Sequence, residues 1–251
     1  MDQTQPRSPA VEIDDLHYTY GDGTSALQGI SLEIAEGEAV CLIGPNGAGK
    51  STLLMHLNGT LPGIQGGRVK IWGRAAEKKN LREIRRQLGI VFQDPDDQLF
   101  SPTVAEDVAF GPHNQGVEGA ELERKVALAL SRVGVAPELR DRISHHLSFG
   151  EKKQVAVATV LAMEVSILVL DEPSSNLDPA ARRALIEMLK SFNLTMLIAT
   201  HDLELALEIC PRTVLLDGGR VVADGSTGEL LADPDLMAAH RLEVPLSLRL
   251  R

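Results

Sequence analysis

The sequence predicts an α/β fold built on a mainly parallel sheet, and three runs of apolar residues carry the prediction. The runs AVCLIG (39–44), ILVL (167–170) and TMLIAT (195–200) are continuous rather than alternating, which is typical of strands covered on both faces. Between the last two runs, AARRALIEMLKSF (180–192) repeats apolar residues at the spacing of one helix face. A buried strand, a helix and a second buried strand predict parallel strands joined by crossover helices.

The beginning of the chain has a different pattern. Residues 1–10 are polar and contain proline, and we interpret them as a flexible tail. From Val11 to about Val40, short alternating apolar segments are separated by Gly21-Asp22-Gly23 and Glu36-Gly37-Glu38. This alternation favours antiparallel strands, so we expect an N-terminal antiparallel β-subdomain.

Residues 94–157 are polar, interrupted by proline and glycine, and helical in period. Thr103 and Glu106 stand at the spacing of a capping box, which marks a helix start. A further helix is expected to end at Gly134. Its apolar face is predicted to carry Leu122, Val126, Ala129 and Val133. We interpret 94–157 as a helical subdomain inserted into the sheet domain.

The last part of the chain predicts a hairpin and then short helices. Gly218-Gly219 separates two β-rich segments, which is the pattern of a two-residue hairpin turn. We place the main domain at 11–226 and a short helical tail at 227–251.

Composition narrows the class of function. The net charge of −10 argues against a surface that neutralises nucleic-acid phosphates, so we expect no nucleic-acid partner. Cys41 and Cys210 are far apart and lack C-x-x-C spacing, which argues against a disulfide framework or a zinc ribbon. No apolar run approaches the roughly 18 residues of a membrane-spanning helix. We therefore expect a soluble, intracellular protein.

Residues 44–52 match a phosphate-binding loop directly after a buried strand. Glycines let backbone N–H groups surround an anion, Lys50 can reach the β- and γ-phosphates, and the Ser51 hydroxyl can bind Mg²⁺. The helix that follows would direct its positive end at the phosphates. The predicted nucleotide-binding residues are Gly44, Pro45, Asn46, Gly47, Ala48, Gly49, Lys50, Ser51 and Thr52.

The strand ILVL ends in two acids, Asp171 and Glu172. Asp171 can hold Mg²⁺ through water, and Glu172 can polarise an attacking water as a general base. Such a base contributes about 10²–10⁴ in rate. Together with the phosphate loop, this acidic pair predicts nucleotide hydrolysis.

At this point the chain resembles the ABC ATPase family from about Val11 to Asp224. Leu147-Ser-Phe-Gly-Glu151 resembles the signature motif of that family, which binds the γ-phosphate of ATP held by the other subunit. Ser148 and Glu151 also form a capping-box pattern before an apolar helix, whose N-terminus would suit an anion. The resemblance implies that Ser148 and Gly150 contact nucleotide. It also implies a RecA-like P-loop core with the two subdomains described above.

The same resemblance assigns four further residues. Gln93 is similar to the glutamine that contacts Mg²⁺ and the attacking water, and His201 to the switch histidine at the γ-phosphate. Asp178 lies in a segment similar to the loop that meets the opposing site across the dimer. Tyr20 is similar to the aromatic residue that stacks on adenine. The implied cofactors are ATP and Mg²⁺, and the implied partner is a second ABC ATPase subunit, identical or paralogous.

The segment FQDPDDQLFSPTVAEDVAFGP resembles the energy-coupling-factor group of importers, especially those for cobalt and nickel. This implies a peripheral protein at the cytoplasmic face of the membrane, with membrane subunits docking near Gln93–Val104. We expect Pro95, Pro102 and an exposed Leu99-Phe100 pair to form the docking site.

Three alternatives remain open on the sequence. In the first, the transported solute is a vitamin rather than a metal ion. In the second, the chain is a non-transport ABC ATPase that acts on ribosomes or DNA. The third is a nucleotide-binding module without turnover, suggested by Phe149, Glu151 and Gln154, which depart from the commonest form of the signature. The transported solute and the choice between homodimer and heterodimer are not encoded in these motifs.

Overall fold

The computed structural model describes residues 9–249, which form two sheets with helices packed around them. The strands are β1 (Pro9–Thr19), β2 (Ser25–Ala35), β3 (Ala39–Ile43), β4 (Gly66–Ile71), β5 (Arg74–Ala75), β6 (Leu88–Val91), β7 (Ile167–Asp171), β8 (Thr195–Ala199), β9 (Arg212–Asp217) and β10 (Arg220–Ser226). The helices are α1 (Lys50–Leu57), α2 (Leu81–Gln87), α3 (Val104–Asn114), α4 (Gly119–Arg132), α5 (Phe149–Leu161), α6 (Pro179–Lys190), α7 (Leu203–Ile209), α8 (Thr227–Ala232), α9 (Pro234–Ala239) and α10 (Leu246–Arg249). Short 3₁₀ turns occur at Pro95–Asp97, Pro137–Leu139 and Ser144–His146.

The larger sheet has the order β10-β9-β3-β8-β7-β6. Its strands are parallel except for β10, which pairs antiparallel with β9 at the edge. The three apolar runs identified in the sequence are β3, β8 and β7, side by side in the middle of this sheet. The prediction of a mainly parallel α/β core is confirmed.

Both faces of the central strands β3, β7 and β8 are buried, which explains the continuous apolar runs. Side chains alternate between the faces of a strand. In β3, Cys41 and Ile43 join the core cluster formed with α3 to α7. Val40 and Leu42 join the second cluster, formed with α1 and the smaller sheet. Every residue of the strand therefore needs an apolar side chain.

The smaller sheet has the order β2-β1-β4-β5 and is antiparallel. It confirms the expected N-terminal antiparallel subdomain and adds β4 and β5, which the sequence reasoning did not assign. β1 begins at Pro9, two residues before the expected start of the main domain at Val11. Residues 1–8 of the expected tail and residues 250–251 lie outside the described part of the chain.

Helices fill the chain between β6 and β7, two neighbouring strands of the larger sheet. Both predicted capping boxes are present: Thr103 with Glu106 starts α3, and Ser148 with Glu151 starts α5. α4 ends at Arg132, and Gly134 follows with a φ of 74°, as the sequence indicated. α5 continues to Leu161, beyond the proposed boundary at 157, and the domain boundaries themselves stay a prediction.

Two further features concern the C-terminal half. Gly218 and Gly219 join β9 to β10 in the predicted two-residue hairpin, with positive φ angles of 54° and 75°. Cys41 and Cys210, far apart in sequence, meet in the core with 2.8 Å between their sulfur atoms, and both are free and buried. Within residues 9–249, none of the helices has the length and apolar character needed to cross a membrane.

Candidate functional site

The phosphate loop occupies the turn between β3 and α1, at the carboxyl end of a central strand. Gly44, Gly47 and Gly49 have φ angles of 146°, 78° and 102°, a region that favours glycine. A Cβ on Gly44 would lie 2.0 Å from the carbonyl oxygen of Leu216, and one on Gly49 would lie 2.5 Å from that of Ala26. The loop is thus held by neighbouring backbone on two sides, and α1 begins where it ends.

Lys50 is buried inside this loop, with 7% of its surface exposed. Its Nζ donates to the carbonyl oxygens of Gly44 at 2.7 Å and Pro45 at 3.3 Å. Burial lowers the pKa of Lys50, while the nearby carboxylates of Glu172 and Asp171 oppose that shift. The loop therefore presents a cation in a partly desolvated position, where an anion would be bound strongly.

The acidic pair lies at the end of β7, as the sequence suggested. Asp171 is the last residue of the strand, and Glu172 has a φ of 44°, a left-handed conformation that is uncommon for a residue with a side chain. The Oε2 atom of Glu172 accepts hydrogen bonds from the backbone N–H of His201 at 3.1 Å and lies 2.6 Å from its Nδ1. Glu172 is thus fixed by His201 while the histidine side chain is largely exposed.

Asp171 and Ser51 form a candidate magnesium site. Burial raises the pKa of Asp171, and a hydrogen bond with Ser51 opposes this rise. Its Oδ1 atom is buried and has no hydrogen-bond partner among the described residues. A buried carboxylate oxygen without a partner, beside a hydroxyl, suits a hard cation that prefers oxygen ligands. The residues present therefore fit Mg²⁺.

Tyr20 stands at the edge of the phosphate loop. Its hydroxyl lies 2.9 Å from the Thr52 Oγ1 atom, and the Tyr18 ring packs edge-to-face against its ring at 5.0 Å between centroids. Tyr18 is buried, whereas Tyr20 is half-buried. The structure thus favours Tyr20 over Tyr18 as the ring available to a ligand.

These elements enclose one cleft of about 500 Å³, which we call the loop cleft. Asp171, Gly44 and Pro45 do not line it. The predicted site residues that line the loop cleft are Tyr20, Asn46, Gly47, Ala48, Gly49, Lys50, Ser51, Thr52, Gln93, Glu172 and His201.

The remaining predicted residues, Ser148, Gly150 and Asp178, do not line the loop cleft. They share a separate cleft of about 440 Å³, which we call the helix-end cleft. Ser148 caps α5 by accepting from the Glu151 N–H at 3.3 Å, and Asp178 caps α6 by accepting from the Ala181 N–H at 2.8 Å. One chain therefore gathers the predicted site into two separate groups.

Gly150 is where these two helix ends come together. A Cβ at Gly150 would lie 3.1 Å from the Cβ of Ala181, which is tighter than ordinary van der Waals contact. A glycine here lets the first turns of α5 and α6 approach each other.

Lys153 is a residue that the sequence reasoning missed. It is 1% exposed, and its Nζ donates to the backbone oxygen of Gln93 at 2.6 Å and lies 3.4 Å from that of Glu172. Burial lowers the pKa of Lys153 to about 8, against the attraction of Asp94, Asp171 and Glu172. One sequence feature could have indicated that Lys153 is buried. It stands shortly before VAVATVLA, a run of apolar and small residues that marks the buried part of α5.

Arg182 is a second residue that the sequence reasoning missed. Its sequence context gives no sign that it pairs with the segment after β8. Its guanidinium forms a bidentate ion pair with Asp202, at 2.6 and 2.8 Å. Asp202 directly follows His201, so this pair ties α6 to the histidine of the loop cleft.

Comparison with known proteins agrees with this architecture. The family model described as ABC transporter matches residues 27–175. The energy-coupling factor transporter ATP-binding protein EcfA of Carboxydothermus hydrogenoformans is 47% identical over 96% of this chain and 89% of its own length.

Two solved structures have the same fold. The cbiO1 protein of Clostridium perfringens, described as part of the ABC transporter complex cbiONQ, superposes with a TM-score of 0.82 at 38% identity, covering 97% of this chain and 99% of the other. The ATP-binding cassette MJ0796, described as a dimer in a post-hydrolysis state bound to ADP and Pi, gives a TM-score of 0.77 at 28% identity, covering 86% of this chain and 98% of the other.

Proposed function

The chain belongs to the ABC transporter family, in the group of energy-coupling-factor ATPases, and we propose that two such subunits enclose ATP between their clefts. It binds ATP, and it hydrolyses ATP in a process coupled to transport. The observation that carries the proposal is the separation of the loop cleft from the helix-end cleft. Each chain then supplies the loop cleft of one composite site and the helix-end cleft of the other.

Within one composite site, the loop backbone and Lys50 bind the β- and γ-phosphates, and Tyr20 stacks on adenine. Ser51, Asp171 and Gln93 would hold Mg²⁺, which when bound would supply positive charge beside the phosphates. Ser148 of the second subunit contacts the γ-phosphate from the opposite side.

Hydrolysis requires a water aligned with the γ-phosphorus. Glu172 polarises this water and takes its proton as the oxygen–phosphorus bond forms and the bond to the β-phosphate oxygen breaks. His201, fixed against Glu172 at 2.6 Å, aligns the carboxylate and faces the γ-phosphate. Loss of the γ-phosphate removes the contact that joins the subunits, so the dimer opens.

The variant Glu172→Gln tests this assignment. It keeps the side-chain size but removes the base, so hydrolysis should fall by about 10²–10⁴ while ATP binding persists. Light scattering with MgATP should find a trapped dimer. Glu138→Gln, an exposed glutamate that lines neither cleft, is the matched control. Equal phosphate release from wild type and Glu172→Gln would show that Glu172 is not the base. If Glu172→Gln is monomeric in the presence of MgATP, the proposed dimer is wrong.

We propose that the membrane subunits dock near Gln93–Val104. Two residues expected at the docking surface, Pro95 and Leu99, are buried instead. Leu99 is 1% exposed and belongs to the same buried core cluster as Val104 and Val108, so it cannot contact a partner. Phe100 is 62% exposed, and Phe110 of α3, which is 49% exposed, packs edge-to-face against it at 4.8 Å. The exposed apolar pair is therefore Phe100 with Phe110.

These two rings line a groove of about 670 Å³ between α2, α3 and α5. Arg82, Arg85 and Arg86 of α2 line the same groove. An apolar floor beside cations suits a cytoplasmic helix that carries apolar residues and an acid. A subunit docked through this groove would lie at the cytoplasmic face of the membrane as a peripheral protein.

The double variant Phe100→Ala/Phe110→Ala tests the groove. When the tagged chain is purified from detergent-solubilised membranes of its source, the variant should lose the integral membrane proteins that the wild type retains. Leu128→Ala is the control, because Leu128 is 47% exposed on α4 but does not line the groove. Full retention by the double variant would exclude this surface.

The solute we propose is cobalt or nickel ion, on the resemblance of the segment around Gln93 and the likeness to the cbiO1 protein. Vitamin uptake is the alternative, supported by the wider energy-coupling-factor likeness. Uptake of labelled Co²⁺ and Ni²⁺ in cells with and without the active chain should differ, with vitamin uptake unchanged. The reverse outcome would favour the alternative.

A further inference from the structure

Lys153 joins the two clefts within one chain. It lies in the first half of α5, the helix that Ser148 caps, and it lines the helix-end cleft. Its Nζ contacts the backbone oxygens of Gln93 and Glu172, whose side chains line the loop cleft. Three segments that are distant in sequence thus converge on one ammonium group.

Packing alone does not require a charge at this position. A buried ammonium costs free energy unless it is paired and hydrogen-bonded, and a methionine would fill a similar volume without that cost. The surroundings offset the cost: two carbonyl oxygens accept from Nζ, and the Phe149 ring lies 5.7 Å from it. Other polar contacts also join α5 to the loop after β6, namely Lys152 with Asp96 and Gln98 with Ala156 and Thr159. Lys153 differs from them because its one ammonium group contacts both the Gln93 backbone and the Glu172 backbone.

We propose that Lys153 is a positioning residue that fixes the backbone of Gln93 and Glu172 to the helix carrying Ser148, so that both clefts of one chain move together. The inference rests on the proposed function. ATP in the loop cleft shifts the Gln93 and Glu172 segments, and Lys153 carries that shift to the N-terminus of α5. Ser148 then reaches the position that the second subunit requires.

Variants in a Glu172→Gln background separate this role from a structural one. Lys153→Met removes the ammonium and keeps the apolar stem, whereas Lys153→Gln keeps a donor. ATP-driven dimerisation, measured by analytical ultracentrifugation, should weaken by about tenfold or more in Lys153→Met, the scale of a lost charge-assisted hydrogen bond. ATP affinity of the monomer should change by less than about threefold, and Lys153→Gln should recover most of the dimer.

The matched control is Lys125→Met on α4. The Lys125 side chain is 11% exposed and pairs with Glu164, away from both clefts. It should leave dimerisation unchanged. Wild-type dimerisation by Lys153→Met would overturn the inference. A loss of dimerisation that accompanies a lower melting temperature, and that Lys153→Gln does not recover, would overturn it as well.

Hydrogen exchange on dilute, monomeric chain provides a readout that does not need the dimer. MgATP should protect both the phosphate loop and the first turns of α5 in the parent chain, but only the loop in Lys153→Met. Equal protection of α5 in both would refute the coupling. A parent chain that never dimerises with ATP would refute the proposed function, while the exchange result still decides the role of Lys153.

Discussion

The loop cleft and the helix-end cleft are built in different ways. The loop cleft lies at the carboxyl ends of β3 and β7 and relies on left-handed backbone at Gly47, Gly49 and Glu172. The helix-end cleft is formed by the first turns of α5 and α6, and side chains already cap both helices. One is a strained loop with buried charges, and the other is a pair of regular helix ends.

This difference indicates what each cleft contributes to ATP binding. Lys50 lies in the loop cleft with its cation inside the phosphate loop. In the helix-end cleft, the Nζ of Lys153 instead contacts backbone oxygens of Gln93 and Glu172. The loop cleft should therefore determine ATP affinity, and the helix-end cleft should determine whether a second subunit joins.

The largest expected effect is that of Lys50→Met on ATP affinity. It removes the cation of the phosphate loop, and the loss of two charge-assisted contacts predicts an ATP Kd raised by about 100-fold. Calorimetric titration of the monomer measures it. Lys125→Met is the control for lysine loss elsewhere. Unchanged affinity in Lys50→Met would show that the loop cleft is not where ATP binds.

Ser148→Ala should affect dimerisation rather than binding. Loss of the hydroxyl predicts ATP-driven dimerisation weaker by about tenfold, with monomer affinity unchanged. Loss of the cap also costs about 1 kcal/mol of folding free energy. Thr103→Ala provides a matched control, because Thr103 makes the same capping box at α3. Its unfolding free energy should fall equally in urea titrations, but its ATP-bound dimer should persist. Equal dimer loss in both variants would reduce Ser148 to a helix cap.

Substitutions of Tyr20 should have the smallest effect on ATP affinity, and they test the adenine contact specifically. Tyr20→Phe removes only the hydroxyl that contacts Thr52, so ATP affinity should change by less than about threefold. Tyr20→Ala removes the ring, and loss of base stacking predicts affinity weaker by about tenfold. Fluorescent-nucleotide titration separates the two. If both variants bind ATP like the wild type, adenine lies elsewhere.

Much of the fold could be predicted because the decisive signals are local. The buried runs of β3, β7 and β8, the two capping boxes and the Gly218-Gly219 hairpin depend on residues close in sequence. The phosphate loop is equally local, since its glycine conformations follow from the motif.

The errors and omissions arise where distant segments meet. Leu99 was expected at the surface, but it belongs to the buried core cluster that also contains Val126 of α4 and Val155 of α5. Lys153 contacts a loop 60 residues away, and no spacing rule predicts that distance. Phe110 joins Phe100 only because α3 folds back beside it.

The paired thiols of Cys41 and Cys210 give the core an intrinsic reporter of its own opening. Both are buried between β3 and the end of α7, and burial raises the pKa of Cys41 well above its ordinary value. A neutral, enclosed thiol does not react with an alkylating reagent until the surrounding elements separate. The rate of thiol labelling therefore measures how often β3 and α7 part, and nucleotide bound at the end of β3 should slow that rate.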